Sequence, residues 1–257
     1  MATILVTGSS DGIGRHTAAS LVDGGHRVVL HARDERRAGD ARAAVPGAAA
    51  VVVGDLASLA QTRDLARQAA DLAPFDVVIH NAGVGGGQNA PVPTEDGLER
   101  IFQVNTLAPY LLTALLPAPA RLIYLTSGLE AGGRARLDDL QWRGRTWDGM
   151  QAYSDSKLYD VMLAFAVARR WPGTLSNAVD PGWIRTRMGG PGATDDLPQG
   201  SETQVWLATS AEPEATVTGR YFKRRRQLRA NPQAYDESLQ EDLLGVCADL
   251  TGVKLPA

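Results

Sequence analysis

The sequence predicts an α/β fold: a doubly wound domain around a central parallel sheet of about seven strands. Three observations carry that prediction. Short β-branched runs alternate with amphipathic stretches from the first residues, the rhythm of successive right-handed βαβ crossovers. Runs such as Val77–His80 are apolar throughout rather than alternating, as in strands covered on both faces. The 257 residues fit one such domain, and no low-complexity linker or internal repeat divides them. Residues 1–257 are therefore expected to form a single unit.

In order, strands are expected at residues 3–7, 27–31, 50–53, 77–80 and 121–126, with later ones near 174–179 and 218–222. Helical periodicity marks residues 14–23, 34–44, 58–72, 94–116 and 153–170. Two segments break the rhythm. Residues 128–152 form a long insertion without clear period, and residues 188–201 hold Gly189, Gly190, Gly192 and Gly200. Both follow strands whose carboxyl ends should border a ligand crevice, so they are expected to serve as active-site insertion and substrate loop, the second closing over bound ligands.

A hydrophobic share of 44% with 21% charged residues is that of a globular protein, and a net charge of −3 gives no general attraction to nucleic acid. The basic run Lys223 to Arg226 reads as a solvated edge after the last strand. The one cysteine, Cys247, cannot form an intramolecular disulfide, which favours a reducing compartment, and its apolar neighbours Leu243, Leu244 and Leu250 suggest a core position. The most apolar stretch, 107–116, contains Pro109 and stops at Pro117, so no membrane span is expected; nor is a secretory leader or a metal site. A cytoplasmic protein is the expectation.

The first strand leads into Gly8, Ser10, Gly12, Ile13 and Gly14, then an Ala-rich helix. Glycines there permit a tight turn and close backbone approach, and the helix N-terminus offers unpaired N–H groups, so the loop suits a dinucleotide phosphate. The end of the second strand selects the dinucleotide: an acid there binds a ribose 2′-hydroxyl, a cation a 2′-phosphate. Here Ala32 stands where the acid is expected, Arg33 follows, and Arg37 is close by. NADP(H) is favoured, with NAD(H) the alternative because Asp34 lies roughly twenty residues beyond the glycines. Asp34 is read instead as the N-cap of the next helix.

Tyr153 and Lys157 are one turn apart, on one face of a helix. Free tyrosine titrates at about pH 10, and a neighbouring ammonium favours its phenolate, so the pair suits proton transfer to or from a substrate oxygen. Ser127 ends the strand at 121–126, where a hydroxyl can bond that oxygen. Asn105 is an amide amid an apolar helix, where a specific hydrogen-bonding task outweighs its poor propensity.

Taken together, these residues resemble the short-chain dehydrogenase/reductase family. The match runs through the loop at 7–14, Asp55 and Leu56, Asn81-Ala82-Gly83, Asn105, Ser127, Tyr153 with Lys157, and Pro181-Gly182, in the family's order over nearly the whole chain. The resemblance implies a Rossmann-type fold and a catalytic tetrad of Asn105, Ser127, Tyr153 and Lys157, Asn105 holding a water in a relay to Lys157. It also implies that Asp55 meets the adenine, that Asn81, Ala82 and Gly83 lie along the cofactor, and that Ile184 and Thr186 meet the carboxamide. Two departures stand out. Tyr153 comes 26 positions after Ser127, about twice the family's usual interval. With Leu137 to Leu140 and Leu158, this is similar to the branch of retinol dehydrogenases and protochlorophyllide reductases. Asp11 stands where NADP-preferring relatives often carry a base.

Trp142, Trp147 and Met150 in the insertion, with Trp183 and Met188 beyond Pro181, are expected to roof an apolar pocket, its other side left flexible by Gly85, Gly86 and Gly87. The leading expectation is thus an NADP-dependent oxidoreductase acting on a hydrophobic carbonyl or alcohol. A cofactor-assisted epimerase or dehydratase, for which residues 200–257 leave little room, and a non-catalytic dinucleotide sensor are the alternatives. A homodimer or homotetramer through helices 94–116 and 153–170 is possible in such a fold; Val161, Met162 and Phe165 suit that face or an intramolecular core.

Overall fold

The computed structural model describes residues 1–256. Its centre is one eight-stranded sheet in the order β3-β2-β1-β4-β5-β6-β7-β8. Strands β1 (Thr3–Val6), β2 (Arg27–Ala32), β3 (Ala50–Val53), β4 (Val77–His80), β5 (Arg121–Leu125), β6 (Leu175–Val179) and β7 (Arg220–Lys223) are all parallel. The eighth, β8 (Arg226–Leu228), is antiparallel to β7 and exceeds the seven expected. Three exposed residues bracketed by arginines carry no buried strand pattern, which is why the sequence conceals it.

Alternate strand residues feed the two faces. Leu5, Val29, Val78 and Leu122 enter one apolar core, covered by α3 (Leu59–Ala70), α5 (Ala108–Leu115) and α6 (Gly149–Arg170). Ile4, Val6, Leu30 and Ile79 enter the other, beneath α1 (Gly12–Asp23), α2 (Glu35–Ala44) and α7 (Leu197–Thr209). The C-terminal helix α8 (Glu237–Thr251) packs on the outside of α6. Val161, Met162 and Phe165 are therefore intramolecular core, and Cys247 is buried beside them. No helix among the described residues is long and apolar enough to cross a membrane.

Several elements depart from the periodicity reading. Residues 94–99 are a turn, not helix; Glu99 caps the short α4 (Arg100–Phe102) by accepting from the Ile101 and Phe102 amides. A π-helical segment, Gln103–Leu107, then joins α4 to α5. Pro109 carries no N–H for the carbonyl four residues back, and a widened turn relieves the clash of its ring with that carbonyl. In the insertion, Trp142 is buried with Ile101 and Ala152, edge-on to Trp147 and under the Arg145 guanidinium. It is a packing residue rather than part of a pocket roof. The basic run is exposed at Arg224, Arg225 and Arg226, as expected of a solvated edge, but it does not follow the last strand: it ends β7, turns and begins the edge strand β8. Arg224 and Arg225 form the β7–β8 turn with positive φ, Lys223 binds buried Asp180 at 2.8 Å, and Arg224 binds Asp195 at 2.8 Å.

Candidate active site

The strand order reverses between β1 and β4, and at their carboxyl ends opens a cleft of about 640 Å³. The loop from Gly8 to Gly14 forms its floor, and the N-terminus of α1 points into it. Close approach explains the glycines: a Cβ on Gly8 would lie 2.8 Å from the Ala82 Cα, and one on Gly14 would lie 2.4 Å from the Gly8 carbonyl oxygen. Gly8 and Gly12 also have φ of +63° and +53°, where side chains are strained. Asn81 donates to the Thr7 and Gly8 carbonyls, while Thr7 Oγ1 accepts from the amides of Asn81 and Ala82 at 3.0 and 3.1 Å. The two cofactor-type segments are thereby tied into one wall. The open backbone and unpaired helix N–H groups fit a dinucleotide diphosphate.

A residue the sequence did not single out holds the same loop. His31 Nδ1 accepts from the Gly8 amide at 2.9 Å, which leaves Nε2 to donate to the Gly54 carbonyl at 2.8 Å. Its burial pulls the imidazole below its ordinary range, towards the neutral form this tautomer requires. A strand-end histidine carries no local signal for this role, because Gly8 and Gly54 reach it only through strand pairing.

At the end of β2, Asp34 does cap α2, its Oδ1 accepting from the Arg37 amide at 2.8 Å. Arg33 and Arg37 line the cleft. Arg33 is exposed and paired with Asp34, and Arg37 lies 3.5 Å from Asp11, which also lines the cleft and accepts from the Gly12 amide. Asp55 and Leu56 complete this end; Asp55 Oδ1 accepts from Ala57 N.

Tyr153 and Lys157 line the far end with Pro181 and Thr186. Lys157 Nζ stands 5.7 Å from the Tyr153 ring centroid and donates to the Leu125 carbonyl at 2.9 Å and to Asp160 Oδ2 at 2.8 Å. Burial pulls the lysine down and Asp160 more than offsets it, so it stays an ammonium. The other two expected catalytic residues stand beside the cleft rather than in its lining. Ser127 Oγ accepts from Leu129 N at 3.3 Å, at the start of a 3-10 turn, Gly128–Gly132. Asn105 lies in the π segment and spends its side chain on bracing: Oδ1 accepts from Val84 N, and Nδ2 donates to Val84 O and Ser156 Oγ. Its carbonyl is the group that Pro109 cannot serve. Gly182 (φ +96°) turns against Asp195, and Ile184 is buried as a peg against Gly200, so the Ile184 side chain does not face the cleft.

Met188 lines the cleft and is 56% exposed; Leu129, Met150 and Trp183, in segments next to lining residues, are exposed as well, Trp183 by 54%. Met188 packs on Gly85, and Gly86 presses against the Gly149 carbonyl, a close packing contact rather than a free hinge.

Comparison with known proteins accords with this geometry. The family model for short chain dehydrogenases matches residues 2–121. Over 261 residues the chain is 43% identical to the short-chain dehydrogenase chyC of Penicillium rubens, covering all of both chains. It is 33% identical to human retinol dehydrogenase 14, over 98% of this chain and 86% of that one. An uncharacterised protein of Mycobacterium paratuberculosis superposes with a TM-score of 0.86 at 26% identity, covering 100% of this chain and 96% of that one.

Proposed function

The chain belongs to the short-chain dehydrogenase/reductase family, nicotinamide-dependent enzymes that interconvert CH–OH and C=O, and we propose that it is an NADP-dependent reductase of apolar carbonyls with Tyr153 as general acid. One observation carries the reading: Tyr153 and Lys157 open onto the same cleft as the glycine loop and the α1 N-terminus.

A dinucleotide held in this cleft would supply the hydride; this chain's residues bind, orient and move a proton. The Gly8 to Gly14 loop takes the diphosphate, Asp55 and Leu56 the adenine, and Asn81, Ala82 and Gly83 flank the cofactor. Pro181, Gly182, Ile184 and Thr186 present backbone and hydroxyl groups to the carboxamide. The phenol of Tyr153 gives its proton to the substrate oxygen as negative charge gathers there, and Ser127 Oγ, on turning from Leu129 N, donates a second hydrogen bond. Lys157 provides the cation beside the phenol, and Asn105 contributes its backbone carbonyl to a proton path ending at Lys157.

NADP over NAD is supported by two cations on the cleft wall, Arg33 and Arg37, while of the acids nearby Asp34 is engaged as a helix cap, Asp11 accepts from the Gly12 amide and Asp55 accepts from Ala57 N. An apolar substrate is supported by the exposed side chains on and next to the cleft lining and by the name of a relative that acts on retinol. The test is consumption of NADPH and, separately, NADH across a panel of apolar aldehydes and ketones. Turnover with NADPH is the expected result; turnover confined to NADH, or to small polar carbonyls, would overturn the reading.

A further inference from the structure

The mechanism above uses Lys157 but not the carboxylate bound to it. Asp160 lies one turn further along α6 with its side chain 4% exposed, and its Oδ2 is 2.8 Å from Lys157 Nζ, itself on a side chain 6% exposed. The Leu125 carbonyl already anchors Nζ at 2.9 Å, so the lysine has a fixed partner without Asp160. An ammonium has three N–H groups, and with two so engaged the third is left for the cleft, where Gly83 and Tyr153 stand. Asp160 Oδ1 has no hydrogen-bond partner, a costly state for a buried carboxylate that anchoring alone does not explain.

The charge of the pair does explain it. Burial pushes the Asp160 carboxyl up to about 7 against the pull of Lys157, so above that pH it is an anion 2.8 Å from the ammonium, and the two act on a group several ångströms away as a dipole, whose field falls off faster than that of the cation alone. We propose that Asp160 is a positioning residue that acts through Lys157 by offsetting its charge, so that Tyr153 keeps its proton at neutral pH and serves carbonyl reduction rather than alcohol oxidation. The inference rests on the reading of Tyr153 and Lys157 given above. Lys157 faces Asp160 from its own helix and Tyr124 from β5; Tyr124 shares the Thr113 hydroxyl of α5 with His80 of β4. Burial keeps Tyr124 protonated and His80 neutral, so among the described residues Lys157 is the charge that Asp160 balances.

The phenolate absorbance of Tyr153 tests this without turnover, so its outcome stands even if the proposed reduction fails. Of the six tyrosines, burial pushes Tyr110 up to about 12 and Tyr124, Tyr159 and Tyr221 higher still. Exposed Tyr235 is common to all variants, so subtracting the Tyr153→Phe titration isolates Tyr153. In Asp160→Asn, the same shape without the charge, the Tyr153 midpoint should fall by about one unit or more. The pH profile of alcohol oxidation should move with it, and Asp160→Glu should restore both. Titrations of wild type and Asp160→Asn that superimpose would overturn the proposal, even with activity reduced. If Asp160→Asn does not fold, Lys157→Met combined with Asp160→Asn removes both charges. That double variant should titrate within about half a unit of wild type, whereas a rise of about one unit or more would show that the lysine charge was not offset.

Discussion

Arg33 and His31 stand at the same strand end, Arg33 lining the cleft and His31 bonded to the Gly8 amide of the loop. Arg33 is exposed, paired only with Asp34, and lines the cleft. Arg33→Asp should shift the ratio of kcat/KM for NADPH and NADH towards NADH by roughly tenfold or more, since one lost charge-assisted hydrogen bond is worth about 1.5–3 kcal/mol. An unchanged ratio would show that Arg33 does not meet the 2′-phosphate. His31→Phe keeps the ring volume but removes the bonds to Gly8 and Gly54. At about 1 kcal/mol per bond, NADPH affinity measured by fluorescence titration should fall several-fold to about thirtyfold. Residues whose place follows from a local pattern were legible in the sequence: Tyr153, Lys157 and Arg33 on the cleft, and the Asp34 cap. His31, Thr7 and Asp160 were not, because their partners are brought to them by strand register or by a helix face whose neighbours no local pattern specifies.

Parallel strands with both faces buried announce themselves, and β3 and β4 match their expected limits. The helix expected over residues 94–116 was over-extended, because Leu98 and Ile101 satisfy a helical period while Glu99 is a cap that stops it from running earlier. Nor did composition separate Trp142, which packs inside the insertion, from Trp183, which is exposed; only burial tells them apart. The β7–β8 hairpin was hidden for a different reason. Its turn uses Arg224 and Arg225 at φ +50° and +58°, where Asn and Gly are the residues favoured. Arg224 is held there by Asp195, but Arg225 makes its bond to Thr203 through its backbone amide. Arg225→Gly should therefore relieve strain and raise stability by about 1 kcal/mol in thermal unfolding, with turnover unchanged. A lower Tm would mean that the arginine side chain contributes more than its backbone strain costs.

The molecule as a whole buries titratable groups that respond to pH in opposite directions. Burial lowers His80 to about 3, and it is neutral in the fold. With an unfolded value of about 6.5, its stabilising contribution is complete above that pH and is lost as pH falls towards about 3, at about 1.4 kcal/mol per unit. Glu99, Glu130 and Asp160, raised by burial, pull the other way, each favouring the fold as pH falls through its raised value. A single unfolding curve mixes these effects, but the difference between wild type and His80→Leu isolates one. That difference should move in favour of wild type by about 1.4 kcal/mol per unit from about pH 4 to 6.5 and then level off; a flat difference would mean that His80 does not stay neutral in the fold.

The central claim joins the two ends of one cleft: a dinucleotide held by the glycine loop and a proton supplied by Tyr153. Its most direct test is Tyr153→Phe, with NADPH affinity and carbonyl turnover measured on the same sample. The account predicts affinity close to wild type and turnover lowered by about a hundred- to ten-thousand-fold, the loss expected when a general acid is removed. Turnover retained in Tyr153→Phe, with NADPH still bound, would contradict it.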